Sequence, residues 1–209
     1  TIAQNFSVEE EGLHADPALN SGRMSFQGTL LTADKADPAL VEQLVVAHFS
    51  GEKKGLTWTH LTDHRSHFFT VDSLVRDENS AKELLIEWNG SPLKVKNKGK
   101  MVIPVPGKNE FKVLSVKPQT SPEQKVIIQF SDPLAFDQQI EGMAEFESSV
   151  KFNWQTDGNL LTLWPAEKIS GETSITLFKG LKDAGGRSLI ETQRYPLFFK
   201  NLRPQVRLL

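Results

Sequence analysis

Apolar and polar side chains alternate along short stretches of this chain. Val150-Lys151-Phe152-Asn153-Trp154 puts Val, Phe and Trp on one face and Lys and Asn on the other. Leu161-Thr162-Leu163-Trp164 alternates in the same way up to its Trp. A period of two is the mark of a strand with one buried and one wet face, as in antiparallel sheets packed on one another. Denser runs of strand length are Phe68-Phe69-Thr70-Val71, Lys125–Phe130 and Ser174–Phe178. Between them fall turn signals: Asn89-Gly90, Pro106-Gly107, Asp157-Gly158-Asn159, Ser170-Gly171 and Gly185-Gly186. Asp157-Gly158 lies between two alternating runs and predicts a hairpin, because these residues tolerate the positive φ of a tight turn. Helix signals are few. Asp37-Pro38 reads as an N-cap with proline at the first helical position, followed by an apolar stripe, Leu40, Val41, Leu44 and Val45, about two turns long. Asp132-Pro133 predicts a similar, shorter segment. No recurrent helical pattern of about 10–15 residues follows the strands, which argues against a parallel α/β sheet.

The pattern then repeats. Met24–Leu30 runs into Asp37-Pro38, and Val126–Phe130 runs into Asp132-Pro133. Leu84–Trp88 is paired on the same reasoning with Leu160–Trp164. A repeat on the order of 100 residues predicts two tandem domains of one type. The join is expected in Pro104–Asn109, where prolines limit ladder bonding and Gly107 permits a bend. That gives an all-β chain of two antiparallel β-sandwich domains with short helical turns, residues 1–108 and residues 109–209. Pro204 precedes a further strand-like run, Gln205–Leu209, which predicts another domain beyond it. The chain starts at Thr1 with neither Met nor an apolar leader, as expected of a processed product or a piece of a longer protein.

Composition narrows the chemistry. Hydrophobic residues make up 38% and charged residues 24%, the balance of a globular protein and not of a disordered one. Net charge is -2, with 12 basic and 14 acidic residues through Asn109 and 12 of each beyond it, so no one-signed field invites nucleic acid. No apolar run approaches the roughly 18 residues of a spanning helix, and no direct membrane insertion is expected. The 209 residues include no cysteine, which removes disulfides, a thiol nucleophile, a thioester and thiolate metal sites together. Lys94, Lys96, Lys98 and Lys100 alternate and are read as solvated residues guarding a strand edge, in preference to an anion site.

Candidate sites are correspondingly thin. His60, His64 and His67 with Asp63 form the one imidazole cluster, on a segment that reads as a turn between two strands. His60 and His67 would face each other across such a hairpin, which leaves metal ligation open. Solvated loop histidines are the reading preferred. Ser73, Ser131 and Ser170 lack the strand-to-helix elbow of a serine nucleophile, and Glu9-Glu10-Glu11 reads as a solvated run. Gly185-Gly186 has no phosphate-loop spacing, and Asp183–Arg187 offers one carboxylate to a cation. Trp58, Trp88, Trp154 and Trp164 are read as core residues by default, with Trp88 and Trp164 plugging the sandwich before a turn. Two exposed, side-by-side indoles would instead suit a sugar or an extended peptide. The reading assigns no catalytic, cofactor-binding or metal-binding residue, no cofactor and no enzyme activity.

Several segments together resemble a known family. They are Phe130–Leu134 with Gln138, Gln139 and Gly142, Asn159–Pro165, Gly171-Glu172-Thr173 and Gly180–Leu189. In the first half Gly28–Asp34, Leu56–His60, His67–Val71 and Trp88-Asn89-Gly90 fit as well. These resemble the Ig-like modules near the front of bacterial α2-macroglobulin-like proteins, in particular the long ones of Bacteroidetes type. The likeness covers nearly the whole chain. Patterns of the same style also occur in related bacterial Ig-like modules, so the module type is better supported than the parent. The resemblance implies two β-sandwich modules of a large envelope protein, periplasmic or surface-exposed and lipid-anchored, that traps endopeptidases. Partners would then be neighbouring domains of the parent and, through the whole protein, target proteases. Such proteins work through a cleavable bait segment and, in many members, a Cys-Gly-Glu-Gln thioester. Neither is visible in this chain, so no functional residue carries over and a non-catalytic scaffold role is implied. The alternative is an adhesin or a glycan- or protein-binding module.

Overall fold

Residues 5–16 and 22–200 are described by a computed structural model of the chain. The run Gln205–Leu209 lies outside them. The chain divides into two compact units, Thr1–Asn109 and Glu110–Leu209.

In the first unit the strands are β1 (Phe6–Ala15), β2 (Arg23–Thr32), β3 (Val45–Phe49), β4 (Glu52–Lys54), β5 (Thr57–His60), β6 (Ser66–Val75), β7 (Lys82–Asn89) and β8 (Lys98–Val105). They form two sheets, β1-β2-β6-β5 and β4-β3-β7-β8, with antiparallel pairing throughout. Alternate residues bury inward: Met24, Phe26, Leu30, Phe69 and Val71 from one sheet, and Val45, Ala47, Leu84, Ile86 and Ile103 from the other. Full burial of one such side chain contributes about 1.5–3 kcal/mol, so these residues, and not the indoles, carry the fold.

The second unit has β9 (Val113–Gln119), β10 (Lys125–Phe130), β11 (Ala144–Phe146), β12 (Phe152–Asp157), β13 (Leu160–Pro165), β14 (Gly171–Leu177) and β15 (Gln193–Phe199). Its sheets are β12-β13-β10-β9 and β11-β14-β15. Val126, Ile128, Phe130, Leu161 and Leu163 of one sheet pack with Phe146, Ile175, Leu177, Leu197 and Phe199 of the other. Asp157 pairs with Leu160 across the loop Gly158-Asn159, with Gly158 at φ +56°, which is the hairpin the sequence predicts.

Lettered A to G in chain order, the second unit sets A-B-E-D against C-F-G, the seven-strand immunoglobulin arrangement. The first unit has the same order with β4 added beside strand C. Each unit is therefore an Ig-like β-sandwich. The strand order also corrects the repeat. Met24–Leu30 and Val126–Phe130 are both strand B, but Leu84–Trp88 lies on strand F (β7) and Leu160–Trp164 is strand E (β13). Val126 follows Met24 by 102 residues but Leu160 follows Leu84 by only 76, so the second pairing falls one strand early.

The helical expectations fare unequally. Asp37 does cap a helix, accepting from Ala39 N at 3.0 Å, but α1 (Pro38–Val41) is a single turn because Val45 already enters β3. Asp132-Pro133 starts no helix. Leu134 forms a bridge with Asp183 and Asp132 pairs with Arg187, so the segment is held by side chains, and the 3-10 turn comes later at Ile140–Gly142.

At the join, Pro104 sits within the edge strand β8, and the chain beyond it stays fastened to the first unit. Arg76, 4% exposed, donates from Nε to Pro106 O at 3.0 Å and from Nη2 to Gly107 O at 2.6 Å. Lys108 N and Asn109 N bond Asp77 O and Glu78 O at 2.7 and 3.0 Å. On the other side, Ser131 Oγ donates to Glu110 O and accepts from Lys112 N, and Phe111 stacks on Phe130 with ring centres 5.3 Å apart.

Candidate functional site

Strand pairing builds the imidazole cluster. In the β5–β6 hairpin His60 lies directly opposite His67. The turn between them is tied by Asp63, which accepts from Arg65 N at 2.8 Å, from Ser66 N at 3.0 Å and from Ser66 Oγ at 2.9 Å. Those backbone bonds hold the Asp63 carboxyl below the usual range. His64 takes φ +53° in the same turn and is exposed. The other two rings are not solvated loop residues. His67 has no exposure and His60 is 18% exposed, with their Nδ1 atoms 2.8 Å apart and the rings edge to face. Register explains the difference, since His60 and His67 lie within paired strands and only His64 is in the turn.

A third group joins them that nothing in the sequence pattern indicates. Glu42, at the end of α1, lies 3.2 Å from His60 Nε2. The carboxylate only accepts, so the hydrogen-bond network assigns the proton of neutral His60 to Nε2 and makes its Nδ1 an acceptor. His67 then donates from Nδ1, and its buried Nε2 carries a lone pair with no partner. Burial, followed by the charge of His60, lowers the pKa of His67 below the ordinary histidine value. Trp58 covers the outer member of the pair, stacked on His60 at 5.8 Å with ring planes 4° apart. Chemically, Glu42, His60 and His67 form a short hydrogen-bonded chain. Among the described residues no group of three His, Cys, Asp or Glu side chains converges on a metal position.

All four tryptophans are half-buried and none is a core plug. Trp88 shares the inward parity of Leu84 and Ile86 but stands at the end of its strand. There it lies over Gly99, where an added Cβ would come 2.3 Å from the ring, and donates to Asn97 Oδ1 at 3.3 Å. Trp154 packs against the second core and donates to Glu141 Oε1 at 2.8 Å. Trp164 faces outward because Leu161 and Leu163 take the inner face of β13. It lines an open hollow of about 610 Å³ with Pro122, Gln124, Lys168, Ile169 and Lys200.

Asp183 and Arg187 are drawn into a different task from cation binding. Asp183 is 1% exposed and receives Arg187 N at 2.8 Å, Nε at 2.6 Å and Nη2 at 2.5 Å, while Asp132 takes the guanidinium from the other side at 3.0 Å. The arginine occupies the carboxylate that a cation would need. Ser131 is buried in backbone bonds at the join, and Ser73 takes φ +56° within β6. Lys94, Lys96, Lys98 and Lys100 are exposed, the last two on the edge strand β8. The pattern of polar residues does not reveal Phe136, which is 98% exposed on a loop whose base Gln138 bonds to Lys182 O and N at 2.8 and 2.9 Å.

No family model matches the chain, and no curated protein matches it. Among solved structures it is similar to a chimeric titin Z1Z2 functionalized with a KLER exogenous peptide from decorin. Identity is 14% and the TM-score 0.31, over 97% of this chain and 100% of that one. The Ig-like assignment rests on the strand order of each unit.

Proposed function

We propose that this chain is a non-catalytic module pair from a bacterial α2-macroglobulin-like endopeptidase inhibitor, serving as part of the shell of a larger envelope protein. The observation that carries the scaffold half of this reading is the way the polar groups of the units are used. Asp183, Arg187, Asp132, Ser131 and Arg76 are bonded to their own unit. The resemblance of Phe130–Leu134, Asn159–Pro165 and Gly180–Leu189 to such modules supports the choice of parent. Its partners on this reading are neighbouring domains, and proteases engage the whole protein and not this pair.

A direct test adds the purified chain in stoichiometric excess to a panel of endopeptidases digesting a protein substrate. Undiminished cleavage is expected, and stoichiometric protection of the substrate would overturn the passive role. The parental reading frame tests the other half, since macroglobulin domains and a Cys-Gly-Glu-Gln segment should follow these modules. A parent without macroglobulin domains sinks the assignment.

One observation favours a binding-module reading instead. Trp164 stands half-exposed beside an open hollow whose other walls mix apolar and polar groups. An aromatic ring with a polar fringe suits a sugar face. The grip by two parallel indoles loses support, because Trp58, Trp88 and Trp154 are each engaged with His60, Gly99 and Glu141 respectively. A glycan array distinguishes the readings: signal abolished by Trp164→Ala favours the binding module, and a blank array favours the scaffold.

A further inference from the structure

All five histidines, His14, His48, His60, His64 and His67, fall in the first unit, and the second has none. We propose that Glu42, His60 and His67 form an acid-operated latch. At neutral pH it holds the β5–β6 hairpin against the end of α1, and it releases when both imidazoles carry a proton. This inference is independent of the scaffold or binding role of the pair.

The geometry admits one proton between the two Nδ1 atoms and rejects a second. At 2.8 Å they are in hydrogen-bond contact, which requires one donor and one acceptor. Doubly protonated rings would present donor to donor and set two like charges together, one of them on a ring with no exposure. The surroundings do not rescue that state. Glu42 touches only the outer ring, through His60 Nε2. Asp63 attracts a charge on His67, but its carboxylate is committed to Arg65 and Ser66, and exposed His64 opposes that charge. Arg65 is directed to Asp34 at 3.7 Å. On β2 the residue opposite His67 is Leu30, which carries no charge. Trp58 stacks on His60 and meets Phe69 at a tilt of 45°, and neither ring offers a carboxylate. The backbone of His64 favours a charge on His67, but it ranks behind burial and the charge of His60, which oppose it, and His67 Nε2 makes no hydrogen bond.

The sign of the response follows. His67 in the folded unit has a pKa below the ordinary value of about 6.5. Below that value the unfolded chain binds a proton that the folded unit refuses, so stability falls as pH falls. Release has a structural consequence as well. Among the described strands β5 is the edge of its sheet and pairs only with β6. Its departure turns β6, with half-exposed Phe68 on it, into a free edge able to accept another strand.

The test uses the whole chain, with denaturant unfolding and amide hydrogen exchange at pH 7.5, 6.5 and 5.5. The folding equilibrium constant of the first unit should fall by up to about tenfold per pH unit below about 6.5. That of the second should stay flat, and the amides of β5 should exchange faster in step with the first. His67→Leu should flatten the first unit's response. A flat wild-type first unit, or an undiminished slope in His67→Leu, overturns the latch. Should that variant fail to fold, the ring-proton shifts of His67 in the wild type decide. Titration below the other imidazoles, accompanied by faster β5 exchange, supports the latch. Titration at about 6.5 with unchanged β5 exchange overturns it.

Discussion

The two units share a strand order and solve the problem of buried polarity in opposite ways. The second buries charge in a closed set: Asp183 and Asp132 surround the Arg187 guanidinium, and the backbone of the same turn completes the bonding. The first buries a neutral, titratable pair in which one nitrogen, His67 Nε2, lacks a partner. A closed ion pair is insensitive to pH near neutrality, whereas an imidazole pair is poised there. One fold can therefore carry a rigid module and a responsive one without altering its topology.

The largest expected effect that tests this contrast is at Asp183. Removing the carboxylate leaves Arg187 with Asp132 as its remaining anion, and breaking a buried pair costs about 3–5 kcal/mol. Arg187 is 30% exposed, which places the loss toward the lower end. Asp183→Ala should therefore lower the melting transition of the second unit by many degrees and leave the first unchanged. A shift in both would show that the units do not melt separately. Next comes Arg76→Ala, which removes charged hydrogen bonds to Pro106 O and Gly107 O and should cost the first unit about 2–3 kcal/mol by denaturant unfolding. Trp164→Ala follows. Full burial of a tryptophan would make truncation cost about 3–5 kcal/mol, but the outward, half-exposed ring reduces this to about 1–2 kcal/mol. A loss of the larger size would return Trp164 to the core. The smallest effect belongs to the surface pair of Glu147 and Arg194. Arg194, then Ser174, holds the Glu147 carboxyl below its usual range, so its small stabilising contribution is present at neutral pH and lost on acidification. Glu147→Gln should leave the thermal melt of the second unit at pH 7 almost unmoved.

The local pattern made most of the fold legible, and tertiary pairing hid the rest. Alternation in Val150–Trp154 and the Asp157-Gly158 turn marked a real hairpin because both signals are local. The repeat failed at Trp88 and Trp164 because an apolar run ending in Trp looks the same on strand E as on strand F. Parity held the information that Trp164 faces outward: once Leu161 and Leu163 point inward, the next residue cannot. The histidine pair was half legible, since the hairpin implied that His60 and His67 meet. Glu42 reaches His60 from a segment 18 residues away, which no local pattern shows. Arg76 was invisible for the same reason, as its acceptors lie 30 and 31 residues along the chain.

The fastening at Pro106–Asn109 also fixes where this chain can be divided. A first-unit fragment ending at Val105 keeps every strand yet strands the Arg76 guanidinium without the carbonyls of Pro106 and Gly107. A second-unit fragment beginning at Val113 keeps its strands and loses Phe111 from beneath Phe130. Only the peptide bond between Asn109 and Glu110 leaves both sets of bonds whole. For gene rearrangement this makes the module a cassette with a seam one bond wide. It can be moved, duplicated or replaced as a unit, while a cut a few codons to either side yields a domain with all its strands and a broken foundation.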